Sequence, residues 1–368
     1  MRVFWVFRGY LDDRMDSGTF FAMVGAVNRT GNEMFLLSGR RRIAQGNPSV
    51  IRLRSFGLPI LNYICQAISA CVTLLMRARP GDVIVAEPYM ALSALPLALL
   101  ARFGLRGYRV ILDVRTLPVE RDKLLFALDR LLFRVGLFLA RRFFVGATVI
   151  TSGMARALYK ELRGLSVGVW GSGVNPDAFD PANYDRERER KRWGFGREKI
   201  FLYHGAMSSR GRGLVEAAAS FRSANLKDAV LVFVGKGELE EAIVRAGGPS
   251  VRIMPAVPYG DVPSLLSASD FVVIPFLRTP VIDTSCPIKL LEALAMEKPI
   301  VATDVPPIRE LLEGKPFWFR ADTPRDLVRA FAEAARAEKV DTSGARSIAM
   351  AYSFDEQAKR LLDFVSRL

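Results

Sequence analysis

The residues best suited to chemistry lie in one segment, residues 280–303, which reads PVIDTSCPIKLLEALAMEKPIVAT. Pro287 has the fixed φ that suits the first turn of a helix, and good helix formers follow it. A helix beginning near Cys286 would point its free N–H groups at the preceding loop, with Lys289 in its first turn. Glu292 lies about one and a half turns in, where a carboxylate can accept two hydrogen bonds from a ribose diol. The segment predicts a site for phosphate and ribose, and a capped helix with solvated Lys and Glu is the alternative.

Two glycine pairs follow predicted strands. They read Gly211-Arg212-Gly213 and Gly235-Lys236-Gly237. Neither pair has the third glycine of a dinucleotide-binding fingerprint, so tight strand-to-helix turns are the simpler interpretation. The sequence contains no GxxxxGK[ST] segment, which disfavours a P-loop nucleotidase.

Metal and triad chemistry find little support in the composition. His204 is the only histidine, which excludes a centre with several His ligands and makes any Ser-His-Asp triad depend on one residue. The three cysteines, Cys65, Cys71 and Cys286, have neither metal-ligand nor redox-pair spacing. We expect no metal, no required cofactor and no disulfide framework, as in a reducing cytosol.

The elements that position these residues alternate between short apolar runs and helical stretches, the pattern of parallel βαβ units. The predicted strands are residues 3–7, 33–37, 83–86, 109–112 and 148–151, and then 200–204, 230–234, 251–254, 271–275 and 299–303. The run DRERERKR at residues 185–192 is too charged for a core and separates the two series. The pattern predicts an α/β protein of two Rossmann-like domains, residues 1–190 and 191–353, with a final helix at residues 354–368.

The charge is unevenly distributed. The formal net charge is +14, of which residues 1–195 carry +13. This asymmetry argues against a uniformly basic chromatin-type protein and predicts an anionic partner for the N-terminal half, such as a membrane surface, a lipid phosphate or nucleic acid.

A basic stripe marks the helix predicted at residues 123–142. Lys123, Arg130, Arg134 and Arg141 fall on one narrow face of an otherwise apolar helix. Such a stripe is typical of an element at a membrane surface, and a buried helix with one solvated stripe is an equal alternative. Further arginines in this half are Arg40, Arg41, Arg42, Arg52 and Arg54.

Residues 55–76 contain no charged residue and are long enough to cross a membrane. Their polar side chains, Asn62, Gln66, Ser69 and Thr73, share one helix face, which favours a packed amphipathic helix instead. The apolar run at residues 3–7 is too short for a signal peptide and reads as a first strand.

Taken together, several segments resemble the retaining nucleotide-sugar glycosyltransferases of the GT-B fold, in their family 4 group. These segments read PIKLLEALAMEKPIVATDVPPIREL, YHGAMSSRGRGLVEAAASF, GSGVNPDAFDP and DSGTFFAMVGAVNRTGNEMFLL. The resemblance covers nearly the full length. It implies two doubly wound parallel-sheet domains that face a cleft, the N-terminal one binding the acceptor and the C-terminal one the donor, and a C-terminal helix that packs back on the N-terminal domain.

Position by position, the resemblance implies that Glu292 binds the nucleotide ribose, that Arg210 binds the donor diphosphate, and that residues 255–259 contact the base. Further donor-site candidates are Ser17, Gly18, Gly205, Gly235 and Lys289. For His204, which ends a predicted strand before Gly205, contact with the donor phosphates and a packing or strand-end role are equal alternatives. Because negative charge grows on a departing diphosphate, a glycosyl transferase needs such cations.

Three departures from the family pattern shape these expectations. Thr284 stands where the first Glu of a Glu-x7-Glu pair is usual, which leaves Asp283 as the nearest carboxylate for the sugar hydroxyls. Gly205 is followed by Ala206 in place of a common arginine. The usual N-terminal-domain histidine is absent, and LDVRTLPVE occupies its place, with Asp113, Arg115 and Glu120 as candidates for the acceptor site. For Asp113, a place near the acceptor hydroxyl and a structural role are equal alternatives.

We therefore expect a retaining glycosyltransferase that moves a hexose from a UDP- or GDP-sugar to a lipid-linked or polysaccharide-precursor acceptor. Its expected location is peripheral, on the cytoplasmic face of the cell membrane, with no nucleic acid as partner. A soluble small-molecule acceptor is the alternative within the same fold, and a non-catalytic basic nucleic-acid-binding protein is the alternative from another class.

Overall fold

The computed structural model describes residues 1–10, 17–39, 49–56, 59–119, 123–208 and 210–368. It gives the backbone but not the side chains of Ser17, Pro59, Leu124 and Arg210. Glu120 and the arginines at positions 40 to 42 lie outside the described residues.

The chain forms two compact units. The first unit comprises Met1–Ser172, Thr284–Cys286 and Phe354–Leu368, and the second comprises Gly173–Asp283 and Pro287–Ser353. The division after Ser172 differs from the boundary predicted near residue 190, because the charged segment that was expected to separate the domains is part of the second unit.

The first unit is built on a seven-stranded parallel sheet in the order β3-β2-β1-β4-β5-β6-β7. Its elements are β1 (Arg2–Tyr10), α1 (Ser17–Arg29), β2 (Glu33–Gly39), β3 (Val50–Leu53), α2 (Pro59–Arg77), β4 (Val83–Ala86), α3 (Ala91–Arg102), β5 (Arg109–Val114), α4 (Lys123–Phe143), β6 (Gly146–Val149), α5 (Ser152–Ala157) and β7 (Ser166–Val169). The α3 helix packs against both α2 and α4, so these three helices cover one face of the sheet.

The second unit is built on a six-stranded parallel sheet in the order β10-β9-β8-β11-β12-β13. Its elements are α6 (Arg186–Arg192), β8 (Lys199–His204), α7 (Leu214–Ala224), β9 (Ala229–Val234), α8 (Glu240–Gly247), β10 (Val251–Met254), α9 (Val262–Ala268), β11 (Phe271–Ile274), α10 (Pro280–Asp283), α11 (Ile288–Ala295), β12 (Ile300–Thr303), α12 (Pro306–Leu312), β13 (Trp318–Ala321), α13 (Leu327–Arg336) and α14 (Ala345–Met350). Both sheets are fully parallel and doubly wound, which confirms the predicted fold class.

The chain ends in α15 (Phe354–Ser366), which belongs to the first unit. Phe354, Leu361 and Val365 are buried in one apolar cluster with Trp5 and Phe20 of β1 and α1. The predicted return of the C-terminal helix to the N-terminal domain is confirmed, since this apolar face covers the side of the sheet that α1 leaves open.

The charged run DRERERKR forms α6, which packs against α9. The Arg190 guanidinium is buried and donates hydrogen bonds to the carbonyls of Gly196, Glu198 and Ala268, while Glu189 accepts one from Ser264. Each buried charge is therefore compensated by polar partners, which is what burial of a charge requires.

Candidate functional site

The predicted phosphate and ribose residues converge at the carboxyl edge of the second sheet. β8 and β11 are neighbours in that sheet, and the strand order runs outward in opposite directions from them. This is the topological switch point, the place where open α/β sheets form a crevice for ligands. The loops after β8 and β9 and the start of α11 all meet there.

Close backbone packing explains two of the glycines. A Cβ atom on Gly235 would lie 1.9 Å from the carbonyl oxygen of Gly205, so the turns after β9 and β8 touch. A Cβ atom on Gly213 would lie 1.8 Å from the carbonyl oxygen of Pro275. The glycine pairs are thus tight turns, as the simpler interpretation held, and the same turns bring backbone to the edge of the candidate site.

Lys289 brings a cation to this edge. Its side chain lies across Gly205, and its ammonium is 5.6 Å from the centre of the Tyr203 ring. Burial and the nearby Arg212 guanidinium lower the pKa of Lys289, while the carboxylate of Glu292 acts in the opposite direction. An anionic ligand bound near these two cations would offset their mutual repulsion.

Glu292 is 2% exposed, on the first turns of α11. Burial raises the pKa of its carboxyl, and the charge of Lys289 and a hydrogen bond from the Tyr259 hydroxyl partly offset that rise. Oε2 of Glu292 lies 3.5 Å from Nε2 of His204. A buried carboxyl beside a lysine suits the recognition of a sugar diol, because hydroxyl donors favour its ionised form.

His204 ends β8 and is 7% exposed. Burial, followed by the repulsion of Lys289, lowers the pKa of His204 to about 3, so the imidazole is neutral. Within the described part of the chain, neither its Nε2 nor the buried Nε of Arg212 has a hydrogen-bond partner. Unpaired polar atoms in a buried place are unusual and point to a bound group that satisfies them.

The sequence did not single out the side chains of Arg212 and Tyr259 as parts of the site. Arg212 was seen only as the middle of a glycine pair, and Tyr259 only as the end of a region expected to contact the base. Arg210 lies in the same turn, Arg210–Arg212, but its side chain is outside the description. The role implied for it therefore stays a prediction, as do those of Ser17 and Gly18, which begin α1 in the first unit.

Asp283, the predicted sugar contact, ends the short helix α10. Its carboxylate accepts hydrogen bonds from Nε of Arg278 at 2.9 and 3.0 Å. The ion pair holds Asp283 in place in the second unit, and its contact with a sugar hydroxyl stays a prediction.

Asp113 lies inside the first unit. It is 0% exposed in β5, and the Thr148 hydroxyl donates a hydrogen bond to Oδ1 at 2.8 Å. Burial raises the pKa of the Asp113 carboxyl. The bond from Thr148 fits a structural role, while Oδ2 has no hydrogen-bond partner among the described residues, so a place near the acceptor hydroxyl stays a prediction.

Arg115 also has structural partners. Its guanidinium donates to the carbonyls of Trp170 at 2.8 Å and Gly171 at 3.1 Å and lies over the Trp170 ring. These contacts fix Trp170 and Gly171, the two residues that follow β7, to the end of β5. The place of Arg115 in the acceptor site stays a prediction.

The stripe on α4 lies on the outside of the first unit. Lys123, Arg130, Arg134 and Arg141 are all exposed. Leu131 and Phe138 lie between them and are 58% and 65% exposed. The helix therefore combines cations and large apolar side chains on its exposed face.

The described residues contain no group of three His, Cys, Asp or Glu side chains that could hold a metal ion.

Comparisons with known proteins agree with this architecture. Residues 198–337 match the family model described as glycosyl transferases group 1, and this stretch contains His204, Tyr259, Lys289 and Glu292. No curated protein matches the sequence. The fold and the family match define the class: the chain is a transferase of the GT-B fold. Its glycosyltransferase domain, residues 198–337, is of the group 1 type.

Solved structures share the whole fold at low sequence identity. Sucrose-phosphate synthase of Thermosynechococcus elongatus has a TM-score of 0.74 at 13% identity, over 100% of this chain and 98% of that one. HepE of Anabaena, in complex with UDP and glucose, has a TM-score of 0.73 at 16% identity over 100% of both chains. WaaG, a glycosyltransferase involved in lipopolysaccharide biosynthesis, has a TM-score of 0.69 at 14% identity over 99% of both chains.

Proposed function

We propose that this protein transfers a hexose from a nucleotide-diphosphate sugar to a glycan or lipid-linked acceptor, with retention of anomeric configuration, as family 4 glycosyltransferases do. The observation that carries the proposal is the cluster at the switch point of the second sheet. There, Lys289, Arg212 and Glu292 meet the unpaired Nε2 of His204.

Each group has a chemical task in that reaction. Lys289 and Arg212 stabilise the diphosphate, whose negative charge grows as the glycosidic bond breaks. Glu292 accepts hydrogen bonds from the ribose hydroxyls, and Nε2 of the neutral imidazole of His204 binds a polar group of the donor. Asp283 contacts the hydroxyls of the sugar from α10.

Retention needs no enzymatic base in this proposal. The acceptor oxygen attacks from the face that the leaving diphosphate vacates, and the departing phosphate oxygen takes the acceptor proton. The cations of the second unit thus serve both bond cleavage and proton transfer, because they hold the leaving group at the reacting carbon.

UDP is the first nucleotide to test, since HepE has been solved with UDP and with UDP-glucose. The experiment is a thermal-shift panel of UDP, GDP and ADP with their sugar conjugates. A nucleotide that binds the native state raises its apparent stability. We expect one nucleotide to stabilise the wild type and the exposed control Glu333→Gln but not Glu292→Gln, which would support the donor site. No stabilisation by any nucleotide would contradict it.

We further propose that the acceptor is lipid-linked or a polysaccharide precursor and that the enzyme works on the inner face of the cell membrane. The exposed arginines of α4, with Leu131 and Phe138 between them, support this proposal. Arg134→Gln with Arg141→Gln should weaken flotation with anionic vesicles, while Arg163→Gln, an exposed change elsewhere, should not. Equal flotation of both variants would exclude α4 as a membrane contact, and a wild type that does not float would favour a soluble acceptor.

A further inference from the structure

The α2 helix has its polar and apolar faces reversed relative to a helix that faces water. The amide of Gln66 is fully buried and accepts a hydrogen bond from the Gly9 N–H at 3.1 Å. The Asn62 side chain accepts one from the Phe56 N–H at 2.9 Å, and the Ser69 hydroxyl one from the Arg54 N–H at 3.0 Å. The polar side chains of α2 thus fasten it to its own unit.

The apolar side chains of α2 point outward instead. Exposed between 40% and 80% are Ile60, Leu61, Ile64, Ile68, Val72, Leu75 and Met76. Among the described side chains of this helix, only those of Gln66, Ala70 and Leu74 are fully buried. Contiguous exposed apolar surface of this kind marks a site of contact with another apolar phase.

A groove of about 680 Å³ runs beside this face. Ile64, Ile68 and Val72 of α2 form one wall, and Phe56, Arg52 and Arg54 line the other side, at or near the edge strand β3. Arg77 ends the helix and Arg79 follows it, and no acidic residue occurs from Val50 to Gly81. The apolar face is therefore bordered by cations alone within this segment.

We propose that α2 is the bilayer-inserting element of this protein, lying in the plane of an anionic membrane with its exposed apolar face among the upper acyl carbons. Arg52, Arg54, Arg77 and Arg79 then meet the lipid phosphates. This inference deepens the proposed membrane location, on which it rests, by assigning insertion to an element other than α4. Both helices lie on the same face of the first sheet, so one membrane surface can contact both.

Two other arrangements of α2 fit the contacts less well. The segment Ile60–Arg77 is long and apolar enough to cross a membrane. A spanning position would, however, strip Gln66 and Asn62 of their hydrogen bonds and uncover Leu74. A two-fold contact between two copies would bring the same arginines face to face without acidic partners.

The test uses the full chain with vesicles of phosphatidylcholine, alone or mixed with phosphatidylglycerol. We expect sedimentation with the mixed vesicles, and a drop of about tenfold or more in partitioning for Ile64→Ser with Ile68→Ser. The matched control is Val244→Ser, an exposed apolar side chain on α8 (49%). Arg52→Gln with Arg54→Gln should weaken binding to the mixed vesicles, whereas Arg163→Gln should not.

A second measurement avoids dependence on the serine variant. A tryptophan introduced by Ile68→Trp should be quenched by brominated acyl chains, and one introduced by Val244→Trp should not. Wild-type binding by the Ile64→Ser, Ile68→Ser variant, an unquenched Ile68→Trp, or a wild-type dimer that this variant converts to monomer would overturn the proposal. Nucleotide stabilisation measured without vesicles tests the donor site independently, so either proposal can fail alone.

Discussion

The side chain of Lys289 lies directly over Gly205: a Cβ atom at position 205 would come within 2.5 Å of its Cε and 2.7 Å of its Nζ. The absence of a side chain on Gly205 lets the lysine of α11 reach the end of β8. Two segments that are remote in the sequence therefore meet at the candidate donor site, and we expect the charge of Lys289 to govern its affinity for an anion.

Removal of that charge should weaken nucleotide binding. Lys289→Met should raise the Kd for UDP roughly tenfold to a hundredfold, because a hydrogen bond to a charged group contributes about 1.5–3 kcal/mol. Lys227→Met, an exposed change on the surface, should leave the Kd unchanged. Titration calorimetry measures both.

The same lysine should make binding sensitive to pH. Its pKa lies below the usual 10.5, so it loses its proton, and with it the attraction for diphosphate, at a lower pH than an ordinary lysine. We expect UDP affinity to fall as the pH rises through that lowered pKa, and Lys289→Arg to bind with little dependence over the same range. A flat profile for the wild type would contradict this assignment.

His204 should destabilise the protein in acid. Its pKa falls from 6.5 to about 3 on folding, so between these values the unfolded chain binds a proton that the native state does not. The free energy of unfolding should therefore decrease as the pH falls through this window, with a contribution of about 1.4 kcal/mol per pH unit from this group. Urea unfolding at several pH values gives the free energy of unfolding as a function of pH. Its slope against pH should be reduced by that amount in His204→Gln and should equal the wild-type slope in Val244→Ser.

Gly235 should tolerate no side chain. In Gly235→Ala the new methyl would lie 1.9 Å from the carbonyl oxygen of Gly205, so the turns after β8 and β9 must separate. We expect a loss of about 3 kcal/mol in urea unfolding and weaker UDP binding. Gly107→Ala is the control, since its Cβ would meet no atom within 4 Å. Equal stability of the two variants would refute the close approach.

Asp113 should prove structural. Burial raises the pKa of its carboxyl, so the ionised form disfavours the native state as the pH rises through that pKa. Asp113→Asn should keep turnover and match or exceed the wild-type stability at neutral pH, with the difference shrinking in acid. Asp82→Asn, which breaks a buried ion pair with Arg2, should instead lower stability. A large loss of turnover in Asp113→Asn would restore the catalytic alternative.

Much of the fold follows from local patterning. Runs of β-branched and aromatic residues identify β4 and β10 at their observed bounds, and the neighbouring helices follow from apolar spacing. The short strands β3, β7 and β13 escaped prediction. Each of them has four residues, lies at the edge of its sheet and buries at most one of its side chains.

Side-chain surroundings were harder to predict. The charges of α6 look like those of a linker until Arg190 is placed among three backbone carbonyls, and residue types alone do not reveal that Arg115 lies over the Trp170 ring. In each case the partners are distant in sequence or contributed by backbone, which leaves no mark on residue identity.

By itself the sequence determined the alternation of strands and helices, the helix that carries Lys289 and Glu292, and the concentration of positive charge in the N-terminal half, because these depend on neighbours along the chain. Only the tertiary structure decided that Asp113 is buried, that burial keeps His204 neutral with no hydrogen-bond partner for Nε2 among the described residues, and that α2 turns its apolar face outward. Burial and hydrogen-bond pairing are properties of the packed chain, and they set the protonation and exposure on which function depends.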